Sequence, residues 1–287
     1  MTQTNISKVF RVYSKRLGKT PQRVSTKLTN ATQNPIDIKD GVILNGTRLA
    51  LIPLSSQLSQ EIKGLERKFS LDPAVVNKSN DLLAEGIDLH ERNQLEESVK
   101  KFKLSGDLGN PLGLFFHAMC YRHGWGVEDD GHKSLLLLYQ AAHVSILMAV
   151  YDQRDRDSFD ELALKEHSYQ IGLILFELGV SFQKGWGTER SYVNAAYYFK
   201  LAAELGDPDA QNELAGLYLK GQGVKRDKYR AAALFRKAAD QGRGLVGNTW
   251  IYKDKYMNCT EKEKKPRRLS WWNLLLKRVP QDDEHLR

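Results

Sequence analysis

Between Asp81 and Met257 the apolar positions recur with the spacing of amphipathic helices rather than strands. The clearest unit is 207–242. Ala210, Leu214, Leu217 and Tyr218 fall at i, i+4, i+7 and i+8 and predict one buried helical face. Asp207-Pro208 supplies a cap and a first-turn proline in front of it. Lys220-Gly221-Gln222-Gly223-Val224 ends that helix, because glycine enters a left-handed C-cap at little cost. Ala231, Leu234, Phe235, Ala238 and Ala239 give a second buried stripe, closed by Gly242. The unit therefore predicts two antiparallel helices joined by a glycine turn.

The same markers recur in the same order. Tyr121, Gly124/Gly126 and Ala141/Ala142 are followed by Phe182, Gly185/Gly187 and Ala202/Ala203, and then by Tyr218, Gly221/Gly223 and Ala238/Ala239. The later interval is 36 residues and the earlier one 61, so one repeat of 36 carries an insertion of 25. Repeats are expected at about 110–142, 168–206 and 207–242, with 143–167 predicted as a loop holding one short helix. The paired alanines suit helices that approach closely.

One helix pair cannot bury both faces, so the units must stack and be capped. The expected fold is an all-α solenoid of stacked antiparallel helix pairs with irregular basic termini. Asp81–His90 and Leu95–Leu104 form a degenerate pair ahead of the repeats, and Gly242–Gly247 begins a further helix running to about Met257. This divides the chain into a basic, mostly disordered region 1–79, a solenoid 80–257 and a basic-aromatic tail 258–287.

Charge follows that division. The chain has 287 residues and a formal charge of +8. Residues 1–80 hold thirteen Lys/Arg against five Asp/Glu, 81–247 twenty against twenty-four, and 248–287 ten against six. The basic balance thus belongs to the ends, and no nucleic-acid partner is expected of the folded part. Two cysteines give neither a disulfide framework nor a zinc site. The longest apolar runs, around Leu135–Leu138 and Ile171–Leu178, are too interrupted to predict a membrane span.

The 36-residue pattern resembles the Sel1-like repeat family, whose hallmark is a helix with small residues and tyrosine, a Gly-x-Gly-Val turn and a helix ending in Ala-Ala. Glu85–His90, Arg122-His123-Gly124-Trp125-Gly126 and Thr249–Lys253 look like the fungal branch that regulates the cell cycle and cell wall. The resemblance implies a TPR-like superhelix and a cytosolic, non-enzymatic adaptor acting on a kinase or synthase.

No constellation for catalysis is legible, and neither metal nor cofactor is expected. The Gly-x-Gly pairs follow helices and lack the strand and third glycine of a dinucleotide site. His117, His123 and His132 sit in repeat framework with no nucleophile beside them, and Cys120 reads as a small buried hydrophobe. In such a solenoid the first helices line the concave side, where a protein partner is expected. Lys220, Lys184 and His123 occupy one equivalent position there, and Phe115, Phe176 and Asn212 another. These six are the candidate protein-binding residues. Trp125 and Trp186 read as packing anchors of their turns.

The ends carry their own signals. Residues 1–36 hold seven Lys/Arg and no acid, with Ile6, Val9, Phe10, Tyr13 and Leu17 on one helical face. This composition fits both a mitochondrial transit peptide and a basic, phosphorylatable arm. Cytosolic residence follows from the resemblance; a mitochondrial assembly or maintenance factor is the alternative. Val42–Thr47 predicts a small hairpin around Asn45-Gly46, and Gln57–Phe69 a short helix, neither contributing a core. Lys262–Arg278 places seven cations around Trp271, Trp272 and several leucines, a composition that docks on an anionic membrane or in a groove. Ser270, after Arg267-Arg268-Leu269, is a candidate phosphosite where phosphate would add about two negative charges.

Overall fold

The computed structural model describes residues 42–44, 46–51, 72–154 and 161–257. Eight helices in consecutive antiparallel pairs form the body: α1 (Pro73–Glu91) with α2 (Leu95–Asp107), α3 (Pro111–His123) with α4 (Gly131–Arg154), α5 (Glu161–Lys184) with α6 (Tyr192–Glu204), and α7 (Pro208–Lys220) with α8 (Lys228–Asp240). Each helix packs on the next, so the architecture is an α-solenoid. A 3-10 helix (Asn248–Tyr252) and α9 (Asp254–Met257) follow, and a hairpin of β1 (Val42–Leu44) and β2 (Thr47–Leu49) precedes.

Local chemistry sets the helix ends. Asp72, Asn110 and Asp207 each precede a proline, and their side chains accept from Ala74 N (2.9 Å), from Leu112 N and Gly113 N (3.0 and 3.1 Å), and from Ala210 N (2.7 Å). The Asp72 cap starts α1 at Pro73, inside the stretch assigned from sequence to the N-terminal region. Second helices start from another periodic cap. Asp130, Ser191 and Asp227, each six residues after the first glycine, accept from Lys133 N, Asn194 N, and Tyr229 N with Arg230 N. Their own N–H groups donate back to Tyr121, Phe182 and Tyr218 carbonyls at 2.9, 2.9 and 3.0 Å. The aromatic marker of each repeat is thus tied to the cap that launches its second helix.

The two glycines of each turn do different jobs. Gly124, Gly185 and Gly221 take left-handed φ of 68°, 77° and 72° and end the first helix. Gly126, Gly187 and Gly223 lie against the start of the previous pair's second helix; a Cβ on Gly187 would sit 2.0 Å from the Gly131 carbonyl oxygen, and one on Gly223 2.0 Å from that of Tyr192. Only glycine lets neighbouring pairs close this distance. The alanine marker works at the other end, with Ala141, Ala142, Ala202 and Ala238 fully buried. Between them lies one continuous core in which Phe102, Phe116, Tyr198 and Phe199 are the largest fully buried side chains.

The structure corrects three expectations. The described residues of the insertion 143–167 are helical rather than a loop with a short helix: they lengthen α4 and α5 to 24 residues each, because Val144, Ile146, Ala149 and Val150 continue the buried stripe of α4. The helix expected from Gly242 to Met257 is broken into a loop, a 3-10 turn and one short α-turn, since Gly242 and Gly247 take φ of +76° and +88°. The hairpin does contribute to the core. Leu44, Leu49 and Ala50 are buried on α4 and α6, and Tyr197 Oη donates to the Ala50 carbonyl at 2.7 Å. Gln57–Phe69, the helical face within 1–36, and the tail with Ser270 lie outside the described residues. Among the described residues Gly131–Val150 of α4 has the length and apolar composition of a membrane span, but 72% of the window is buried in the solenoid and it acts as a core helix.

Candidate interaction surface

The first helices were expected to offer side chains along their length. They do not. Every residue of α3 from Pro111 to Cys120, and of α5 from Gln170 to Phe182, is buried. Phe115 and Phe176 are therefore core residues, Phe115 edge-on to Phe116 at 5.3 Å and Phe176 against Phe199 at 5.6 Å, and neither can meet a partner. Asn212 at the same register is half-buried, and its amide donates to the Arg243 carbonyl at 2.9 Å, which tethers the loop after α8. The third repeat is more open because it carries Asn212 and Gly216 where its predecessors carry Phe115 and Met119, then Phe176 and Val180; a Cβ at Gly216 would meet nothing within 4 Å.

What remains exposed is the edge formed by the glycine turns. Lys184 and Lys220 are exposed there, one repeat apart, as the register predicted. His123, third in that series, is withdrawn: its ring stacks on Trp125 at 4.7 Å and meets Trp186 edge-on at 6.5 Å. Burial, aided by the neighbouring Arg122 charge, pushes its pKa down to about 4, so it is a neutral packing ring at pH 7. Trp125 lies between His123 and His90, 4.9 Å from the latter. Trp186 keeps 36% of its surface exposed, with the Arg122 guanidinium 5.1 Å over its ring.

Behind that edge lies an ion pair that the periodicity of apolar residues does not signal. Arg122 donates to the Glu177 carboxylate, to the Glu177 carbonyl at 3.3 Å and to Ser181 Oγ at 2.6 Å, all nearly shielded from water. Burial outweighs the pairing, holding the carboxyl above and the guanidinium below their usual ranges. One repeat on, at the same two register positions, Gln183 donates to Glu213 at 2.9 Å. Polar rungs thus link successive first helices just beneath the turn edge. Register alignment of Arg122 with Gln183, and of Glu177 with Glu213, would have exposed the rungs; periodicity of apolar residues does not.

Among the described residues Cys120 and His117 are sealed, while His132 is exposed. Burial pushes the Cys120 thiol up to about 12, which removes the thiolate a nucleophile needs. His117 is buried against Tyr121, its pKa lowered to about 4 by burial and by Lys103. Among the described residues no cluster of His, Cys, Asp or Glu has the geometry to hold a metal.

The Sel1 repeat family matches residues 111–143, 175–207 and 208–242, the three units whose turns and caps superimpose in register above. The chain carries Sel1 repeats. Protein DSF2 of Saccharomyces cerevisiae is 29% identical over 187 residues, 63% of this chain and 25% of that protein. Mitosis inhibitor nif1 of Schizosaccharomyces pombe is 30% identical over 190 residues, 62% of this chain and 28% of that protein. The chain thus spans about a quarter of the length of these two relatives. A Sel1 repeat protein from Oxalobacter formigenes is a solved structural neighbour, with a TM-score of 0.38, 22% identity, and coverage of 56% of this chain and 96% of that one. The chain thus resembles these two fungal proteins, and Sel1 repeats are in general scaffolds for protein interaction.

Proposed function

We propose that the chain is a non-enzymatic regulatory adaptor in the cytosol that holds an acidic segment of a protein kinase or synthase along its turn edge. The observation that supports this is the exposed row Lys184, Trp186 and Lys220 on backbone fixed by paired glycines and periodic caps. A rigid aromatic flanked by cations is a low-entropy anchor, since little freedom is lost on binding. The edge replaces the concave face as the binding surface because large side chains fill the latter. A related protein named a mitosis inhibitor supports the regulatory assignment.

Proximity labelling from the native locus tests the reading, with the chain intact or carrying Lys184→Glu, Trp186→Ala and Lys220→Glu. The adaptor predicts that one kinase or synthase is labelled by the wild type and lost with the triple variant, while helical circular dichroism is unchanged. Labelling indifferent to the three changes removes the edge from consideration. A C-terminal fluorescent fusion found in mitochondria would replace the cytosolic reading with the assembly or maintenance factor.

A further inference from the structure

Once the structure sets the boundaries, the mild charge of the folded part separates into two strong and opposite blocks. Residues 72–219 hold thirteen Lys/Arg against twenty-three Asp/Glu, whereas 220–257 hold ten against three. From the last residue of α7 onward, the final turn, α8 and the segment after it therefore carry +7 on a body of −10. Nine of those ten cations are exposed, Arg236 alone being half-buried where it donates to the Ile251 carbonyl.

The same end gathers apolar surface. Of nine large hydrophobic residues exposed among the described residues, five lie here: Tyr229, Leu245, Val246, Tyr252 and Met257. Val246 is wholly exposed and Leu245 half so, at the tip of a loop bracketed by Gly244 and Gly247. The segment 248–257 lies along α8, with Trp250 on Phe235 and Tyr256 on Tyr229. Lys253, Lys255, Tyr252 and Met257 thereby join Lys228 and Tyr229 on the terminal face of the solenoid.

We infer that this terminal face docks on an anionic lipid surface, with Leu245 and Val246 entering between headgroups while the surrounding lysines and arginines lie on the phosphates. Each exposed cation draws the face toward such a surface, and an apolar loop adds area that only a yielding, grooveless partner accepts. A nucleic-acid backbone would take the cations but leave the aliphatic tip in water. An acidic peptide, which suits the single row of the turn edge, would here neutralise cations while covering neither Leu245 nor Val246. Where the described residues end, at Met257, the sequence continues into the seven cations, two tryptophans and leucines of Lys262–Arg278, which extends the same chemistry. The inference is independent of partner capture at the turn edge, because the two surfaces share no residue except Lys220, which is left unchanged below.

The test is co-sedimentation of the full chain with vesicles of phosphatidylcholine alone or with about one third phosphatidylserine. Binding to the serine-containing vesicles alone is expected, weakening as salt is raised. Leu245→Ser with Val246→Ser should lower that binding about tenfold, and Lys228→Glu with Lys253→Glu and Lys255→Glu should lower it by more than about a hundredfold. All five side chains are at the surface, so the helical signal should be retained; Val246→Ser alone serves as the milder variant if either set misfolds. Vesicle binding equal to wild type in both sets would assign attraction to the segment after Met257 and overturn the proposal. Failure to bind the anionic vesicles, with capture of polyglutamate or duplex DNA instead, would overturn it too.

Discussion

Arg122 of α3 and Glu177 of α5 form a buried ion pair across successive repeats, and the cation also stacks on the ring of the partly exposed Trp186. Packing within the solenoid and the shape of its outer edge are coupled through this one guanidinium.

Removing a single partner should be costly. Glu177→Ala leaves a cation in a shielded site and is expected to lose about 3–5 kcal/mol in urea unfolding. Arg122→Met with Glu177→Leu restores an uncharged interior and should recover most of that loss. If the double variant is no more stable than Glu177→Ala, the pair is worth more than its burial costs.

Two glycines separate backbone need from helix propensity. Gly187→Ala forces a Cβ against the Gly131 carbonyl at positive φ and should cost more than about 3 kcal/mol or abolish folding. Gly216→Ala sits in a helix with open space around it and should stabilise by roughly 0.5–1 kcal/mol. Thermal melts of both variants read opposite signs.

Tyr139 and Tyr198 share one hydrogen bond between their hydroxyls, at 2.8 Å in the core. Tyr139→Phe orphans the Tyr198 hydroxyl and should cost about 1–3 kcal/mol, whereas Phe at both positions should cost much less. The double-mutant cycle measures the difference.

Acid should weaken the fold through His117. Its pKa falls from the ordinary 6.5 to about 4 on burial, so between these values the unfolded chain holds a proton the folded chain refuses. Stability is lost as pH drops through that window, by up to roughly 3 kcal/mol. Asp207 opposes this: burial pushes its carboxyl up to about 6, so its contribution is lost as pH rises from about 4 through 6. His117→Phe should therefore flatten or invert the slope of stability against pH over this range. An unchanged slope would show that His117 titrates normally.

Much of the architecture was legible because it is written in residues with few alternatives. Glycines at left-handed positions, Asp-Pro and Asn-Pro caps and alanines at helix crossings state local requirements that repeat, and they located the helix pairs. The register also put Lys184 and Lys220 at an exposed edge. It misjudged Phe115 and Phe176, because equivalence along a repeat says which side chains share a direction, not whether their neighbours fill the space ahead of them. The Arg122–Glu177 rung was invisible for a related reason: its partners are 55 residues apart, and the insertion hides their common spacing. The hairpin's burial depends on a surface that α4 and α6, far from it in sequence, form only in the folded solenoid.

Those two long helices have a consequence for assembly. Arrays of near-identical units are prone to pair with the wrong neighbour, since one interface accepts another's partner. Here α4 and α5 are each 24 residues where α3, α6, α7 and α8 have 13. The central joint is thus keyed by length, and a chain that skipped or swapped a unit would leave two mismatched helices hanging in water.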